Sequence, residues 1–299
     1  MSGVAGADRV KSRSDFCQFI SSYSKLIEKF SGFVGLWPSG SFNSDTSKQD
    51  FGDIDLVVQI DSKKNKRDLK KDLQQFFHTQ SNSVIVPFTS KKYFGKRSYN
   101  SGEIVTVRYF DELLGYSVQI DNIIALDSTE ANFKQQFLNF PATKQGLILG
   151  LVKVATVETD PAILFSKIGI DISAIDPSGV YDIIGSNEEY EFSLSSVELQ
   201  LRKVTFVLGH YKPKCTSVLW KSRNISDLSA LLYQYDLNAD FNSLLEQAVI
   251  TIKNARSLRR IPGVFTSMVS VKSGEVGTEK GAEKMSAINK IKQTFVEPA

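Results

Sequence analysis

Asp53 and Asp55 stand two apart in the stretch PSGSFNSDTSKQDFGDIDLVV, at the head of a strand-like run, IDLVVQI. Side chains two apart on a strand leave the same face, so both carboxylates share one side while Ile54 and Leu56 take the other. Like charges held side by side repel each other and gain nothing from packing. A shared hard cation removes that repulsion, and Mg²⁺ takes oxygen ligands from one or two carboxylates plus substrate phosphates. Gly40 lets backbone approach a ligand closely, and Ser41 offers an N–H and a hydroxyl to a phosphate oxygen. Lys48, in the loop that follows, can reach the same anion. A third carboxylate, Asp121, is expected to close a neighbouring strand, YSVQIDNII, where Tyr116, Val118 and Ile120 alternate with polar residues. Three carboxylates can hold two Mg²⁺ ions, with Mn²⁺ as a substitute. One ion lowers the pKa of an attacking hydroxyl, and both stabilise in-line displacement at phosphorus. In that scheme Asp121 binds the catalytic metal and can accept the hydroxyl proton. Asp53 and Asp55 bridge the two ions, and the second ion holds the leaving pyrophosphate.

The elements that must position these groups are legible as periodicities. Phe16, Phe19, Ile20, Tyr23, Leu26, Ile27 and Phe30 recur at three- and four-residue steps, which predicts an amphipathic helix capped by Ser12 or Ser14. Residues 33–37 (FVGLW) predict a short buried strand ended by Pro38, and residues 54–60 predict the strand that carries the acids. Leu69, Leu73, Phe76 and Phe77 mark one face of a helix over 66–78. Residues 84–88, 103–110 and 116–120 predict three further strands, the last two joined at Leu114-Gly115. The fold class is therefore α+β, a mixed or antiparallel sheet flanked by helices. After Asp121 the strands thin out, and helical patterns appear near 130–140, 143–157, 195–208, 226–235 and 241–256. The expected organisation is a palm-like domain over 1–126 and a mainly helical domain over 127–299. In the latter, a flexible segment over 274–283 precedes a last short helix.

Gly40-Ser41, eleven intervening residues and then Asp53-Ile54-Asp55-Leu56 resemble the signature of the DNA polymerase β-like nucleotidyltransferase superfamily. That signature is a Gly-Ser pair, a short spacer, then acid-apolar-acid-apolar, with a third acid on a later strand, which VQID also resembles. The resemblance covers roughly residues 33–125, and Ser39 departs from it by standing where an apolar residue usually precedes the Gly-Ser pair. It implies a Mg²⁺-dependent enzyme that transfers a nucleoside monophosphate from an NTP to an acceptor hydroxyl. It also implies catalytic and metal roles for Asp53, Asp55 and Asp121, and nucleotide binding at Gly40, Ser41 and Lys144. An RNA 3′ end is the first acceptor expected. A small molecule or a protein side chain is the alternative, and a non-catalytic binding or scaffold protein on the same fold is the reading from a different class.

Two basic stretches bear on the acceptor. Lys63, Lys64, Lys66, Arg67, Lys70 and Lys71 suit either a solvated helix start or contacts to a phosphate backbone. Lys91, Lys92, Lys96 and Arg97 interleave with Tyr93, Phe94 and Tyr99, as in a stacking platform for single strands or an ordinary lid-like loop. Lys144 can equally be a surface lysine. His78 and His210 have no partner at metal or triad spacing and are expected to be structural. The glycines at 32, 35 and 40 form no dinucleotide fingerprint, and no Walker A motif occurs.

Composition narrows the rest. The 36 basic and 33 acidic residues of the 299 leave a net charge of +3, too balanced to point to a polyanion by itself. Cys17 and Cys215 have no metal-site spacing and are expected to be buried, reduced thiols, with a disulfide as the other possibility. No run is long and apolar enough for a bilayer span, and the first residues carry no apolar signal core. An intracellular protein without a membrane partner is expected.

Overall fold

The computed structural model describes residues 6–85, 103–158, 188–194, 198–205 and 214–254, with short pieces between 166 and 289. The chain divides into two compact units, Met1–Pro141 and Ala142–Ala299.

The first unit is built on a five-stranded mixed sheet. Its strands are β1 (Phe33–Ser39), β2 (Ile54–Ile60), β3 (Ser83–Ile85), β4 (Ile104–Asp111) and β5 (Tyr116–Ala125), in the spatial order β1-β2-β5-β4-β3. Only β2 and β5 run parallel; the other neighbours are antiparallel. Helix α1 (Arg13–Ile27) and helix α3 (Lys66–His78) supply the apolar side chains that cover one face. Their Phe16, Phe19, Tyr23, Leu69, Leu73 and Phe77 pack with Ile54, Leu56, Val58, Val118 and Ile120 from the strands. Each helix start is capped by the polar side chain expected there: Ser12 accepts from the Asp15 N–H, and Asn65 from the Asp68 N–H. A one-turn helix, α2 (Ser41–Ser44), follows β1 directly.

Pro38 does not end β1. The strand runs on to Ser39, because β1 lies at the sheet edge and pairs only with β2, where a missing N–H costs no ladder bond. Residues 8–10 fill the sheet where β2 has not yet begun. Asp8 bridges Val118 in parallel and Val10 bridges Phe51 antiparallel, with the Val10 and Phe51 amides exchanging bonds of 2.9 Å.

Helix α4 (Ser128–Leu138), within the segment expected to begin the second domain, packs on this sheet instead. Its Ala131 and Leu138 lie against Val57, Ala125 and Trp37 on the face opposite α1. Beneath it sits a group of buried charges. Lys134 and Glu130 are both fully buried and bonded to each other at 2.7 Å; Lys134 also reaches Glu103 at 2.9 Å. Lys66 closes the group by pairing with Glu103 at 3.1 Å and with Glu130. Lys134 spends its remaining donor on the Ile124 carbonyl, 2.5 Å away.

The second unit contains helix α5 (Ala142–Glu158), a sheet of β6 (Glu188–Leu194), β7 (Leu199–Thr205) and β8 (Lys214–Ser222), and helices α6 (Ile225–Leu231) and α7 (Phe241–Asn254). The three-stranded sheet corrects one of the helices expected in this segment. Residues 199–205, assigned to a helix over 195–208, form the central antiparallel strand. Val197, Leu201, Val204 and Leu208 fall at helical spacing, while Val197, Leu199 and Leu201 fall at strand spacing. Register shifts after Leu201 and after Lys203 let one strand bury Leu199, Leu201 and Val204 together. Cys17 and Cys215 are exposed free thiols, not buried ones: Cys17 sits on the outer side of α1 and Cys215 in the exposed run that opens β8. Among the described residues no helix is long and apolar enough to cross a membrane.

Candidate active site

The parallel register of β2 and β5 puts Ile54 beside Ile120 and Asp55 beside Asp121. Paired residues on adjacent strands project to the same side. Asp55 and Asp121 therefore stand together on the face away from α1, while Leu56 and Asn122 enter the core. Asp53 immediately precedes β2, two residues from Asp55. Asp121 does not close β5 as expected; the strand continues to Ala125, so the acid is fixed in mid-ladder on both sides.

The electrostatics agree with the register. Burial, then the neighbouring Asp53 and Asp121 carboxylates, push the Asp55 carboxyl up to about 8, against the pull of Lys48. Burial also raises Asp121, while hydrogen bonds from Thr106 and Gln119 hold it down. Thr106 Oγ1 donates to Asp121 Oδ1 at 2.6 Å and Gln119 Nε2 to Oδ2 at 3.0 Å. Neither residue stood out in the sequence. Thr106 was within reach of counting, because the β4–β5 hairpin pairs Asp111 with Tyr116 and so brings Thr106 opposite Asp121.

Gly40 joins β1 to α2 with φ of +67° and ψ of −140°, a conformation open only to glycine. A Cβ there would lie 2.4 Å from Asp55 Oδ2, so the glycine is what lets the turn close onto the carboxylate. Ser41 opens α2 directly beside it. Ser39, the departure from the family pattern, is buried and directs its hydroxyl to the Asp55 carbonyl oxygen at 3.4 Å. The Gly-Ser turn is thus fastened to β2 through Ser39, next to Gly40.

All three acids are hard oxygen donors, and the repulsion that lifts Asp55 is what a divalent cation would relieve, so the donor set fits Mg²⁺. Among the described residues, no three acidic, histidine or cysteine side chains converge as a finished ion cage. Asp121 instead turns both oxygens to Thr106 and Gln119.

No family model matches the sequence, and no curated protein does. Among solved structures the chain is similar to Cid1 poly(U) polymerase with MgGTP bound, at 12% identity and a TM-score of 0.30, over 79% of this chain and 71% of that one. So loose a superposition adds nothing to what the site's own geometry supports.

The remaining candidates are placed as follows. Lys144 lies in the second unit, buried, with its Nζ donating to the Ala239 carbonyl at 2.7 Å; burial lowers its pKa. In the first basic stretch, Lys64 pairs with Asp72 and Lys71 with Asp68, while Lys66 belongs to the buried group under α4. The second basic stretch, around Tyr93 to Tyr99, and His210 lie outside the described residues. His78 is the last residue of α3.

Proposed function

We propose that this chain is a Mg²⁺-dependent nucleotidyltransferase that moves a nucleoside monophosphate from an NTP to an acceptor hydroxyl and releases pyrophosphate. The observation that carries the reading is the pairing of Asp55 with Asp121 on parallel strands, beside a glycine turn packed against the Asp55 carboxylate. Asp53, Asp55 and Asp121 would hold the metal. When bound, Mg²⁺ supplies Lewis-acid stabilisation of the charge that develops at phosphorus.

The chain's own groups do the rest. Gly40 lets the backbone approach the triphosphate, and the Ser41 hydroxyl donates to a phosphate oxygen. Lys48, whose charge already acts on Asp55, offsets the negative charge gathered there. Asp121 receives the proton of the attacking hydroxyl on a carboxylate oxygen. A bond forms between the acceptor oxygen and the α-phosphorus, and the bond from that phosphorus to the pyrophosphate oxygen breaks. A triphosphate contact from Lys144 would use the donors of its ammonium group that the Ala239 carbonyl does not take.

An RNA 3′ end is the first acceptor to test. The pairing of Lys64, Lys66 and Lys71 with acids keeps small-molecule and protein acceptors in the same assay. Purified protein is incubated with each labelled NTP, Mg²⁺ or Mn²⁺, and total RNA or a protein and metabolite extract. Labelled product that disappears in Asp53→Ala and Asp121→Ala supports the enzyme. Absence of product from every acceptor, together with absence of metal and NTP binding, leaves the non-catalytic scaffold as the answer.

A further inference from the structure

The loop that carries Ser41 and Lys48 is held from outside by one side chain of α1. Arg13, the first residue of that helix, donates from Nη2 to the Phe42 carbonyl at 2.9 Å. From Nη1 it donates to the carbonyls of Asp45 at 3.2 Å and Lys48 at 3.4 Å. Its guanidinium lies 4.1 Å from the centre of the Phe42 ring, which also stacks on Phe16 with centroids 4.0 Å apart. Inside the loop, the Asp45 carboxylate accepts from the Ser47 and Lys48 amides at 3.0 and 3.2 Å. A planar fork with five donors can gather three carbonyls from both limbs of a loop at once, and an ammonium at the end of a flexible stem holds such a set poorly.

We infer that Arg13 is a positioning residue for the triphosphate: it fixes the loop from Phe42 to Lys48, and so sets where the Ser41 hydroxyl and the Lys48 ammonium stand relative to Asp55. This rests on reading the acid face as a nucleotide site. Arg13 touches neither substrate nor reacting atoms in that scheme. Its effect falls on affinity, because the phosphate-facing groups must otherwise be ordered at the moment of binding.

The test compares wild type with Arg13→Ala and Arg13→Lys. Binding is measured with NTP analogues carrying a methylene between the α- and β-phosphates, in the presence of Mg²⁺. Amide exchange over residues 41–48 and thermal midpoints are followed in parallel. Expected are faster exchange in that loop and binding weaker by about tenfold in Arg13→Ala, the size of the cost of ordering one or two side chains at the moment of binding. In turnover the loss should appear in KM, with kcat little changed. Arg13→Lys should fall on the same side, since it keeps the charge and loses the fork; it decides the matter if Arg13→Ala does not fold. Variants that lower the thermal midpoint yet bind the analogue as wild type does would overturn the inference alone. Wild-type protein that binds no analogue would overturn the nucleotide reading, and this inference with it.

Discussion

Glu130 and Asp55 are both carboxylates withdrawn from water in the same unit, yet they are surrounded in opposite ways. Burial alone would raise Glu130, but Lys134 and Lys66 outweigh it and hold the carboxyl below its ordinary value. Around Asp55 burial is reinforced by Asp53 and Asp121, and the carboxyl rises to about 8. The first arrangement is self-contained: two lysines and two glutamates satisfy one another, and Leu126 N–H and the Ile124 carbonyl take up further bonding capacity. The second sets like charges side by side, and at Asp55 the pull of Lys48 does not outweigh burial and its two acidic neighbours. Folding gains nothing from crowding like charges, and a carboxyl raised this far beside the Gly40 turn is the repulsion that the proposed metal would relieve.

The contrast is broken most forcefully from the Glu130 side. Glu130→Gln leaves Lys134 buried without its closest counter-charge, and removing one partner of a buried pair costs about 3–5 kcal/mol. Urea unfolding should show that loss as a lower midpoint. Asp55→Asn, measured in the same way without metal, should show no loss, because it removes a source of repulsion. Equal destabilisation by both variants would mean that the two clusters are equally structural.

The two clusters also differed in how far the sequence revealed them. Asp53 and Asp55 were legible because strand periodicity alone places them on one face, and the spacing from Gly40-Ser41 fixed their context. The partner of Asp55 was only half legible: Asp121 could be named, but its register against β2 depends on which strands pair in parallel, and no local pattern encodes that. Lys134 sits four residues after Glu130, an ordinary helix-surface pair in sequence. That both are fully buried follows from α4 packing on the sheet, a tertiary fact. In the second unit, Val197, Leu201, Val204 and Leu208 satisfied a helical period as well as a bulged strand does. Only pairing with β6 and β8 separates the two.

A methyl group at Gly40 sharpens the comparison from the other side. Gly40→Ala would adopt a glycine-only conformation at about 1–3 kcal/mol and bring Cβ against Asp55. The turn or the carboxylate must then move. Misplacing a catalytic group by about 1 Å can cost on the order of a hundredfold in rate. Expected, therefore, is a modest drop in unfolding midpoint with a much larger drop in nucleotide transfer. A drop in stability alone, with transfer at the wild-type rate, would show that the turn does not shape the site.

The most gradual effect is a tilt in stability with pH, and its sign differs between the clusters. Asp55 is raised from 3.8 to about 8, so between those values the folded protein holds more protons than the unfolded chain, and metal-free stability falls as pH rises. For a single proton the slope is at most about 1.4 kcal/mol per pH unit. Glu130 is lowered from 4.5, so its contribution is present above that value and lost as the pH falls below it. Asp55→Asn should flatten the decline between about pH 4 and pH 8 and leave the acid limb in place. A Mg²⁺ ion bound as proposed would compete with the proton at Asp55, so its stabilising effect on wild type should grow across the same interval. Thermal midpoints with and without Mg²⁺ from pH 5 to 9 test this, and a Mg²⁺ effect that is independent of pH in wild type, or unchanged in Asp55→Asn, would place the ion elsewhere.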